Sequence, residues 1–550
     1  MLNLNLKFVD EFYDEKGNLV NYKLKCPDNF NFSYDVVDEI AKAEPDRRAI
    51  LWCNPRGEEK VFTYGDLKYY SDKTANMLRS KGIGKGDMVM VILKRHYQFW
   101  FTILALHKLG AVIIPATFML AKHDIVYRVN AADVKAVICT GDGEVAMHVD
   151  EAMPECPSLK IRIMVNGHRD GWDDFMTDME EADDSLERVE TKADEPMIVY
   201  FSSGTTGNPK MAMHAHTYAL AHMTTAKYWH DVTPDSVHLT IADTGWGKAV
   251  WGKLYGEMFM ESCVFVYDFD KFSATEILSV LEKYKITSLC CPPTMFRFML
   301  QEDVSSYDLS SLKYCTIAGE ALNPDVFNNW YSQTGIKLME GFGQTETTLL
   351  IANRVGMEPK PGSMGKPMPH YDVDIVDEDG KSVPPGVTGE IVVHTDKEVP
   401  YGLFKCYYRD EEKTKEAWHD GAYHTGDTAW MDEDGYYWYV GRTDDVIKSS
   451  GYRIGPFEIE SVLTEHPAVL ECAVTGVPDA LRGNLVKATI VLKPGFEPSE
   501  ELKKELQTYV KKETAPYKYP RIVEFVDSLP KTVNGKIRRA EIRANDLKSK

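Results

Sequence analysis

Short β-branched runs alternate with longer stretches of helical periodicity in the first third of the chain. The runs lie at 88–93, 111–115 and 134–140, and the helical patterns at 64–81 and 97–109. Strands that alternate with helices pair in parallel, because the chain must cross over the sheet between them. This pattern predicts an α/β protein whose large N-terminal domain is built of layered α/β subdomains.

Hairpins and a change in charge indicate how the rest of the chain is organised. The dipeptides Asp379-Gly380 and Asp434-Gly435 lie between β-like runs and predict a hairpin-rich part of the same domain. The 550 residues carry a formal net charge of −21. Residues 442–550 nevertheless hold 19 Lys and Arg against 16 Asp and Glu, a net of +3. We therefore predict an N-terminal domain at 1–441 and a small, mobile α+β C-terminal domain at 442–550.

Composition excludes several classes of protein. Hydrophobic residues at 44% and charged residues at 27% are typical of a globular chain, and the acidic balance opposes a generally basic nucleic-acid binder. The ten cysteines are scattered without a CxxC pair, which indicates reduced thiols. Residues 1–13 lack the pattern of a secretory signal, and the most apolar stretch, 109–121, is too short to span a bilayer. We expect a soluble cytoplasmic protein with an acidic, mobile stretch at 173–195.

A nine-residue loop carries the first chemical signal. SSGTTGNPK follows the apolar run 197–201, and the strand-like residues 211–214 come next, so we expect the loop to join two strands. Glycines let backbone N–H groups approach an anion, while hydroxyls and a lysine complete a phosphate cradle. The spacing is not that of a Walker A loop, and a Ser/Gly/Pro surface turn is the alternative. The candidate phosphate-binding residues are Ser202, Ser203, Gly204, Thr205, Thr206, Gly207 and Lys210.

This loop resembles the phosphate loop of the adenylate-forming superfamily, which includes acyl-CoA synthetases, adenylation domains of peptide synthetases and luciferases. Other motifs of that superfamily follow in order over about 340 residues. They are Gly319-Glu320-Ala321, GFGQTE at 341–346, YHTGD at 423–427, GRTDD at 441–445, GYR at 451–453 and PKTVNGK at 530–536. The resemblance implies an AMP-forming acyl-CoA synthetase that uses ATP, Mg²⁺ and CoA.

The resemblance also implies roles for these residues in nucleotide binding. Phe342 would lie on the purine, although core packing is the alternative for any Phe. Glu346 would bind Mg²⁺ and Thr345 a phosphate, and Asp427 would hold the ribose hydroxyls with Arg442. The remaining implied cofactor-binding residues are Gly319, Glu320, Ala321, Gly341 and Gly343 for the nucleotide, and Gly451, Tyr452 and Arg453 for CoA.

Lys536 resembles the catalytic lysine of the superfamily, which neutralises charge between the carboxylate and the α-phosphate. It lies in 530–550, where seven basic residues face two acidic ones, so a basic solvated tail is the alternative. Asp444 would be the hinge about which the C-terminal domain rotates, or simply a turn residue. We also hypothesise that Lys536 is a regulatory acetylation target, since acetylation would remove its charge.

Residues 244–251, TGWGKAVW, resemble the acyl-pocket motif of medium-chain acyl-CoA synthetases. The match places Trp229, Trp246, Lys248, Trp251, Cys290 and Gly343 around the acyl group. Aromatic residues at such spacing are equally typical of core packing. Acetyl-CoA synthetases carry Trp at the position of Gly343, so the glycine implies room for a short-to-medium-chain, branched or aryl acid.

Two other functions remain open from the sequence. The protein could load an acyl or amino acid onto a carrier protein in trans, or it could be a catalytically silent nucleotide-binding homologue. The presence of Glu346, Asp427 and Lys536 weighs against the silent homologue. A serine hydrolase is disfavoured because no GxSxG elbow occurs, and a zinc hydrolase because HExxH is absent.

Overall fold

The computed structural model describes residues 2–17, 19–202, 209–450, 452–479, 481–531 and 537–548. The first large sheet has eight strands, and the predicted runs at 88–93, 111–115 and 134–140 form its parallel centre. In spatial order the strands are Cys406–Tyr407, Lys210–Ala215, Pro196–Ser202, Val112–Pro115, Met88–Ile92, Ala136–Cys139, Ile161–Met164 and Asp173–Asp174. The expected layered α/β architecture is confirmed.

A second sheet of nine strands lies against the same core. Its central strands are parallel, and antiparallel strands close both edges. In spatial order the strands are Lys366–Pro367, Leu349–Ala352, Leu338–Gly343, Tyr314–Ile317, Ser288–Cys290, Val237–Thr240, Cys263–Tyr267, Arg48–Cys53 and Glu59–Thr63.

Helices connect and cover the strands. The helix Tyr64–Ser80 begins at a capping box in which Thr63 and Asp66 bond to each other's backbone N–H groups, and Gln98–Leu109 is buried along its whole length. Both confirm the helices predicted at 64–81 and 97–109. The others are Glu39–Ala43, Lys122–Ala132, Val145–Ala152, Phe175–Glu181, Thr217–Tyr228, Gly247–Gly252, Tyr255–Phe259, Ala274–Lys283, Pro293–Met299, Pro324–Thr334, Glu411–Ala417, Pro456–Glu465, Glu500–Glu513 and Arg539–Lys548.

Antiparallel strands follow the two large sheets. The strands Asp372–Val376, Gly389–His394, Trp418–His419, Ala422–Met431 and Tyr437–Arg442 form one sheet, and Val9–Tyr13 pairs with Leu19–Leu24 near the N-terminus. The turn at Asp434-Gly435 joins two of these strands, as predicted. The acidic stretch 173–195 is more structured than expected, because Phe175 and Met179 are buried and Arg188 forms an ion pair with Asp35.

Residues 447–525 have sheets and a hydrophobic cluster of their own. Ile447–Ser449 pairs with Tyr452–Ile454, and Val469–Asp479, Gly483–Leu492 and Ile522–Phe525 form a three-stranded sheet. All ten cysteines are free thiols, as predicted. In the part of the chain that the structure describes, no helix has the length and apolarity needed to cross a membrane.

Candidate active site

A cleft of about 2030 Å³ opens where the large sheets meet residues of the C-terminal part. Most of the predicted nucleotide-binding residues line it. They are Ser202, Lys210, Gly319, Glu320, Ala321, Gly341, Phe342, Gly343, Thr345, Glu346, Asp427 and Arg442, and Trp246 of the predicted acyl pocket joins them. Motifs that are up to 240 residues apart in the chain therefore share one cavity.

The candidate phosphate loop is closed at its base by a strand pair. Ser202 and Lys210 lie opposite each other at the end of an antiparallel ladder, so the loop does join two strands. The Lys210 ammonium lies 4.7 Å from the centre of the Tyr407 ring, a cation–π distance. Residues 203–208 of the predicted loop lie outside the described residues.

The Glu346 carboxylate is held at the base of this loop, beside Ser202. Its Oε1 accepts hydrogen bonds from the Tyr407 hydroxyl at 2.9 Å and from Ser202 Oγ at 3.3 Å. Burial and the neighbouring Glu346 charge both raise the pKa of Tyr407, so the phenol remains a hydrogen-bond donor at neutral pH. The backbone carbonyl of Thr345 accepts a hydrogen bond from His214 at 2.8 Å. A cleft-facing carboxylate oxygen with hydroxyl neighbours fits the hard ligands that Mg²⁺ prefers.

Two segments form walls of the cleft. One is the strand Leu338–Gly343, which carries Phe342, and the other is the bend at Gly319, with φ of +98°. The Glu320 carboxylate is held by a neighbouring helix, because its Oε2 accepts a 2.6 Å hydrogen bond from Thr294 Oγ1. Its carboxylate therefore supports the wall through the helix Pro293–Met299.

Glu340 was not predicted from the sequence, yet it connects the two walls. Its Oε1 accepts the Leu322 N–H at 3.3 Å, and the side chain lines the cleft while only 3% of the residue is exposed. Burial raises its pKa to about 8, although the Leu322 N–H opposes this shift. The residue stands directly before the GFGQTE motif, which is the one signal that could have identified it.

Asp427 is buried and lies in a polar network with the predicted Arg442, whose side chain is partly exposed. The Tyr439 hydroxyl donates to Asp427 Oδ1 at 3.1 Å, and Arg442 Nη1 lies 3.7 Å from Oδ2. Gln344 also hydrogen-bonds to Asp427. Burial acts to lower the pKa of Arg442, but Asp427 and Tyr439 outweigh it and raise the pKa. The contributions of Gln344 and Tyr439 come from tertiary contact and were missed by motif reasoning.

Three predicted acyl-pocket residues lie behind the cleft wall. Trp229, Trp251 and Cys290 are buried. The Trp229 indole N–H donates a hydrogen bond to the Met339 carbonyl at 3.0 Å. The Trp229 ring fills the space that a Cβ on Gly341 would need. Burial acts to raise the pKa of Cys290, but Lys248 and a hydrogen bond with His230 lower it to about 7.

The space beside Gly343 is occupied. A Cβ at this position would lie 2.4 Å from both the Thr348 carbonyl oxygen and the tip of the Trp251 ring. Glycine is therefore required at this position because the Thr348 backbone and the Trp251 indole approach it closely. This requirement is separate from any effect of the residue on the length of the acyl pocket. Lys248 points to the nucleotide side, where its Nζ donates to the Ala318 carbonyl at 2.7 Å.

One further cluster could in principle bind a metal ion. Ligand atoms of His230, His238 and Glu257 lie within 4.8 Å of one another, and all three residues are buried. The imidazole rings are stacked at 4.5 Å, and both ring nitrogens of His238 bond to Ser288 and Thr240 at 2.8 Å. Because both nitrogens of His238 already have hydrogen-bond partners, this arrangement favours a polar core network.

Several predicted residues fall at the edge of what is described. Lys536 and Gly451 lie outside the described residues, and the side chain of Arg453 is not described. The nearest described residues on either side of Lys536 are Lys531 and Ile537, and both line the cleft. Tyr452 is half exposed and stacks on Tyr517 at 4.0 Å. Asp444 Oδ1 lies 3.9 Å from Arg442 Nε.

Comparison with known proteins agrees with this geometry. Residues 37–408 match the family model described as AMP-binding enzyme, and 458–536 match the AMP-binding enzyme C-terminal domain. The chain belongs to the AMP-binding enzyme family. The mouse (Mus musculus) acyl-coenzyme A synthetase ACSM3, mitochondrial, is 43% identical over 536 residues, which cover 96% of this chain and 92% of the mouse protein. The human (Homo sapiens) ACSM5, mitochondrial, is 44% identical over 530 residues, covering 94% and 91%.

A solved structure of a family member is also similar along its whole length. The anthranilate CoA ligase AuaEII, in complex with anthranoyl-AMP, has a TM-score of 0.86 and 28% identity, covering 95% of this chain and 98% of that one. The curated relatives are named as mitochondrial, which contradicts the expectation that this protein is cytoplasmic. That expectation was wrong because the lack of a secretory signal does not distinguish the cytoplasm from other compartments.

Proposed function

We propose that this protein is an AMP-forming acyl-CoA synthetase for short-to-medium-chain, branched or aryl carboxylic acids. The observation that carries the proposal is the single cleft that joins Glu346, Asp427 and Lys210 to the residues flanking Lys536. Its relatives at about 43% identity are named acyl-coenzyme A synthetases. The reaction consumes the acid, ATP and CoA and forms acyl-CoA, AMP and pyrophosphate.

The first half-reaction activates the carboxylate. A carboxylate oxygen attacks the α-phosphorus of ATP, and the bond to the pyrophosphate oxygen breaks. This step gathers negative charge, so it depends on positioning and on charge neutralisation. Lys210 and Lys536 would supply the positive charge, and Asp427 would hold the ribose. Ser202 and Thr345 would contribute hydroxyls toward the phosphates.

Magnesium is the metal that this reaction implies. Glu346 would hold it, since its carboxylate is fixed by Tyr407 and Ser202 at the base of the phosphate loop. When bound, Mg²⁺ supplies charge neutralisation to the triphosphate. The Tyr407 phenol, by donating to Oε1, keeps the carboxylate facing the cleft.

The second half-reaction transfers the acyl group to sulfur. The CoA thiol loses its proton to solvent, the thiolate attacks the acyl carbon, and AMP leaves with the electron pair of the broken C–O bond. We propose that the domain boundary lies at 441/442 and that Asp444 is the hinge that exchanges Lys536 for the CoA-binding residues. The two family models match on either side of this boundary, which supports the division.

The acid would lie between Trp246 and the strand end at Gly343. Trp246 lines the cleft, while Trp251 and Trp229 form the closed wall behind it. Such a bounded, aromatic wall suits an apolar acyl group of limited length, and each buried methylene contributes about 0.8 kcal/mol. This set of side chains supports an acid larger than acetate.

A pyrophosphate-release screen tests the function. Linear C2–C10, branched and aromatic acids are offered with ATP and Mg²⁺, with and without CoA. We expect acyl-CoA only when CoA is present and a maximum among acids larger than acetate. Turnover that needs a carrier protein instead of CoA, or no turnover with any acid, would contradict the proposal.

A further inference from the structure

The strand pair that carries Asp427 is interrupted directly beside it. Glu390 pairs with Thr428, but the next paired positions are Val392 and His424. One strand therefore advances two residues while the other advances four, and the segment 425–427 bulges out of the ladder. Bulges of this kind redirect a side chain at the edge of a functional site. Here the bulge ends on Asp427, which lines the cleft.

Glu390, on the neighbouring strand, is one of the side chains that hold the bulge, together with Thr425 and Gln344. Glu390 Oε1 accepts the backbone N–H of Gly426 at 2.9 Å, and Oε2 lies 3.1 Å from His424 Nδ1. Gly426 has a φ of +67°, a conformation that an L side chain rarely adopts. A carboxylate that accepts a backbone N–H at such a turn fixes the direction in which the chain continues.

His424 is itself held in place. Its ring stacks on His419 at 3.7 Å with an interplanar angle of 14°, and His419 Nδ1 lies 2.9 Å from Asp420. Burial acts to raise the pKa of Glu390, but His424 and the Gly426 N–H outweigh it and lower the pKa. Glu390 is therefore an anion at neutral pH, with a partner for each oxygen.

We infer that Glu390 is a positioning residue for ribose recognition: it holds the Gly426 turn so that Asp427 faces the two ribose hydroxyls. The inference rests on the proposed function, because it deepens the role assigned there to Asp427. Glu390 itself lines the cleft, and the role inferred for it is to position Asp427. Its effect passes through the backbone of Gly426 to the carboxylate of the next residue.

The inference is tested by comparing the binding of ATP with that of 2′,3′-dideoxy-ATP. The analogue lacks both ribose hydroxyls, which would donate hydrogen bonds to Asp427. Binding is measured by calorimetry with Mg²⁺ and without acid, so catalysis is not involved. We expect the wild type to prefer ATP by about tenfold or more, the range for hydrogen bonds to a charged acceptor. Glu390→Leu should lower this preference to about twofold. Glu390→Gln still offers an acceptor to Gly426 and should keep it.

Two other variants separate this role from a loss of folding. His424→Leu removes the partner of Oε2 and should reduce the preference by several fold even if Glu390→Leu does not fold. Glu412→Leu changes an exposed acid on the helix Glu411–Ala417 and should leave the preference intact. A full preference in Glu390→Leu and His424→Leu would overturn the inference, as would equal losses in Glu390→Leu and Glu390→Gln. If the wild type bound no ATP, the proposed function itself would fail.

Discussion

The Tyr407 hydroxyl donates a hydrogen bond to Glu346 over 2.9 Å and thereby joins the two large sheets at the cleft. Tyr407 belongs to the edge strand of the first sheet, and Glu346 follows the strand Leu338–Gly343 of the second. The two residues are 61 positions apart in the sequence. Their contact places the candidate metal ligand beside Ser202, at the base of the phosphate loop.

Tyr407→Phe should weaken Mg²⁺ binding while leaving AMP binding unchanged. Removing a hydrogen bond to a carboxylate costs about 1.5–3 kcal/mol, so we expect the Mg²⁺ concentration for half-maximal pyrophosphate release to rise about tenfold. A magnesium titration of the initial rate measures this. Tyr408→Phe, one residue further along, is the matched control. An unchanged magnesium requirement in Tyr407→Phe would refute the assignment of Glu346.

Lys536→Ala should impair adenylation more than thioester formation. Loss of one charge-neutralising group from a transition state typically costs about 10²–10³ in rate. The two half-reactions are measured separately, as pyrophosphate release and as CoA acylation from synthetic acyl adenylate. Lys531→Ala serves as control, since Lys531 pairs with Glu471 at 2.6 Å. Equal losses in both half-reactions would contradict this role.

Trp251→Phe should shift the preference toward longer acids. The Trp251 ring tip fills the space beside Gly343, so a smaller ring leaves room for added methylenes at about 0.8 kcal/mol each. Values of kcat/KM across the C2–C10 acids report the shift. Gly343→Trp, which the sequence suggests as a route to an acetate-sized pocket, is expected mainly to destabilise the fold, because its Cβ meets the Thr348 carbonyl. An unshifted profile in Trp251→Phe would place the acid elsewhere.

Glu340→Gln should change the pH dependence of stability. Burial raises the pKa of Glu340 from 4.5 to about 8. The folded protein therefore keeps a proton that the unfolded chain loses, and the free energy of unfolding falls as pH rises between these values. Gln removes this dependence, so the variant should gain stability relative to wild type from pH 5 to 8. Urea unfolding at several pH values measures it, with exposed Glu358→Gln as control. If the difference in the free energy of unfolding between the variant and the wild type stayed constant across this pH range, Glu340 would already be charged in the folded protein.

Local pattern predicted much of the fold. The runs at 88–93 and 134–140 and the helix at 64–81 have the bounds expected within a few residues, because burial on a sheet selects β-branched residues and helices keep a regular apolar period. The acidic stretch 173–195 was expected to be mobile, but Phe175 and Met179 bury themselves against the core. A few apolar residues anchor this charged segment to the core, and the overall composition of the segment does not reveal them.

The sequence alone determined the family chemistry, because motifs such as SSGTTGNPK and TGD carry the residue types that phosphate and ribose require over a few adjacent positions. Only the tertiary structure decided what surrounds them. The bond from Tyr407 to Glu346, the bridge from Glu340 to Leu322 and the support of Gly426 by Glu390 join segments that are distant in the chain. Such contacts depend on how sheets pack and where a ladder bulges, and no local pattern encodes those distances.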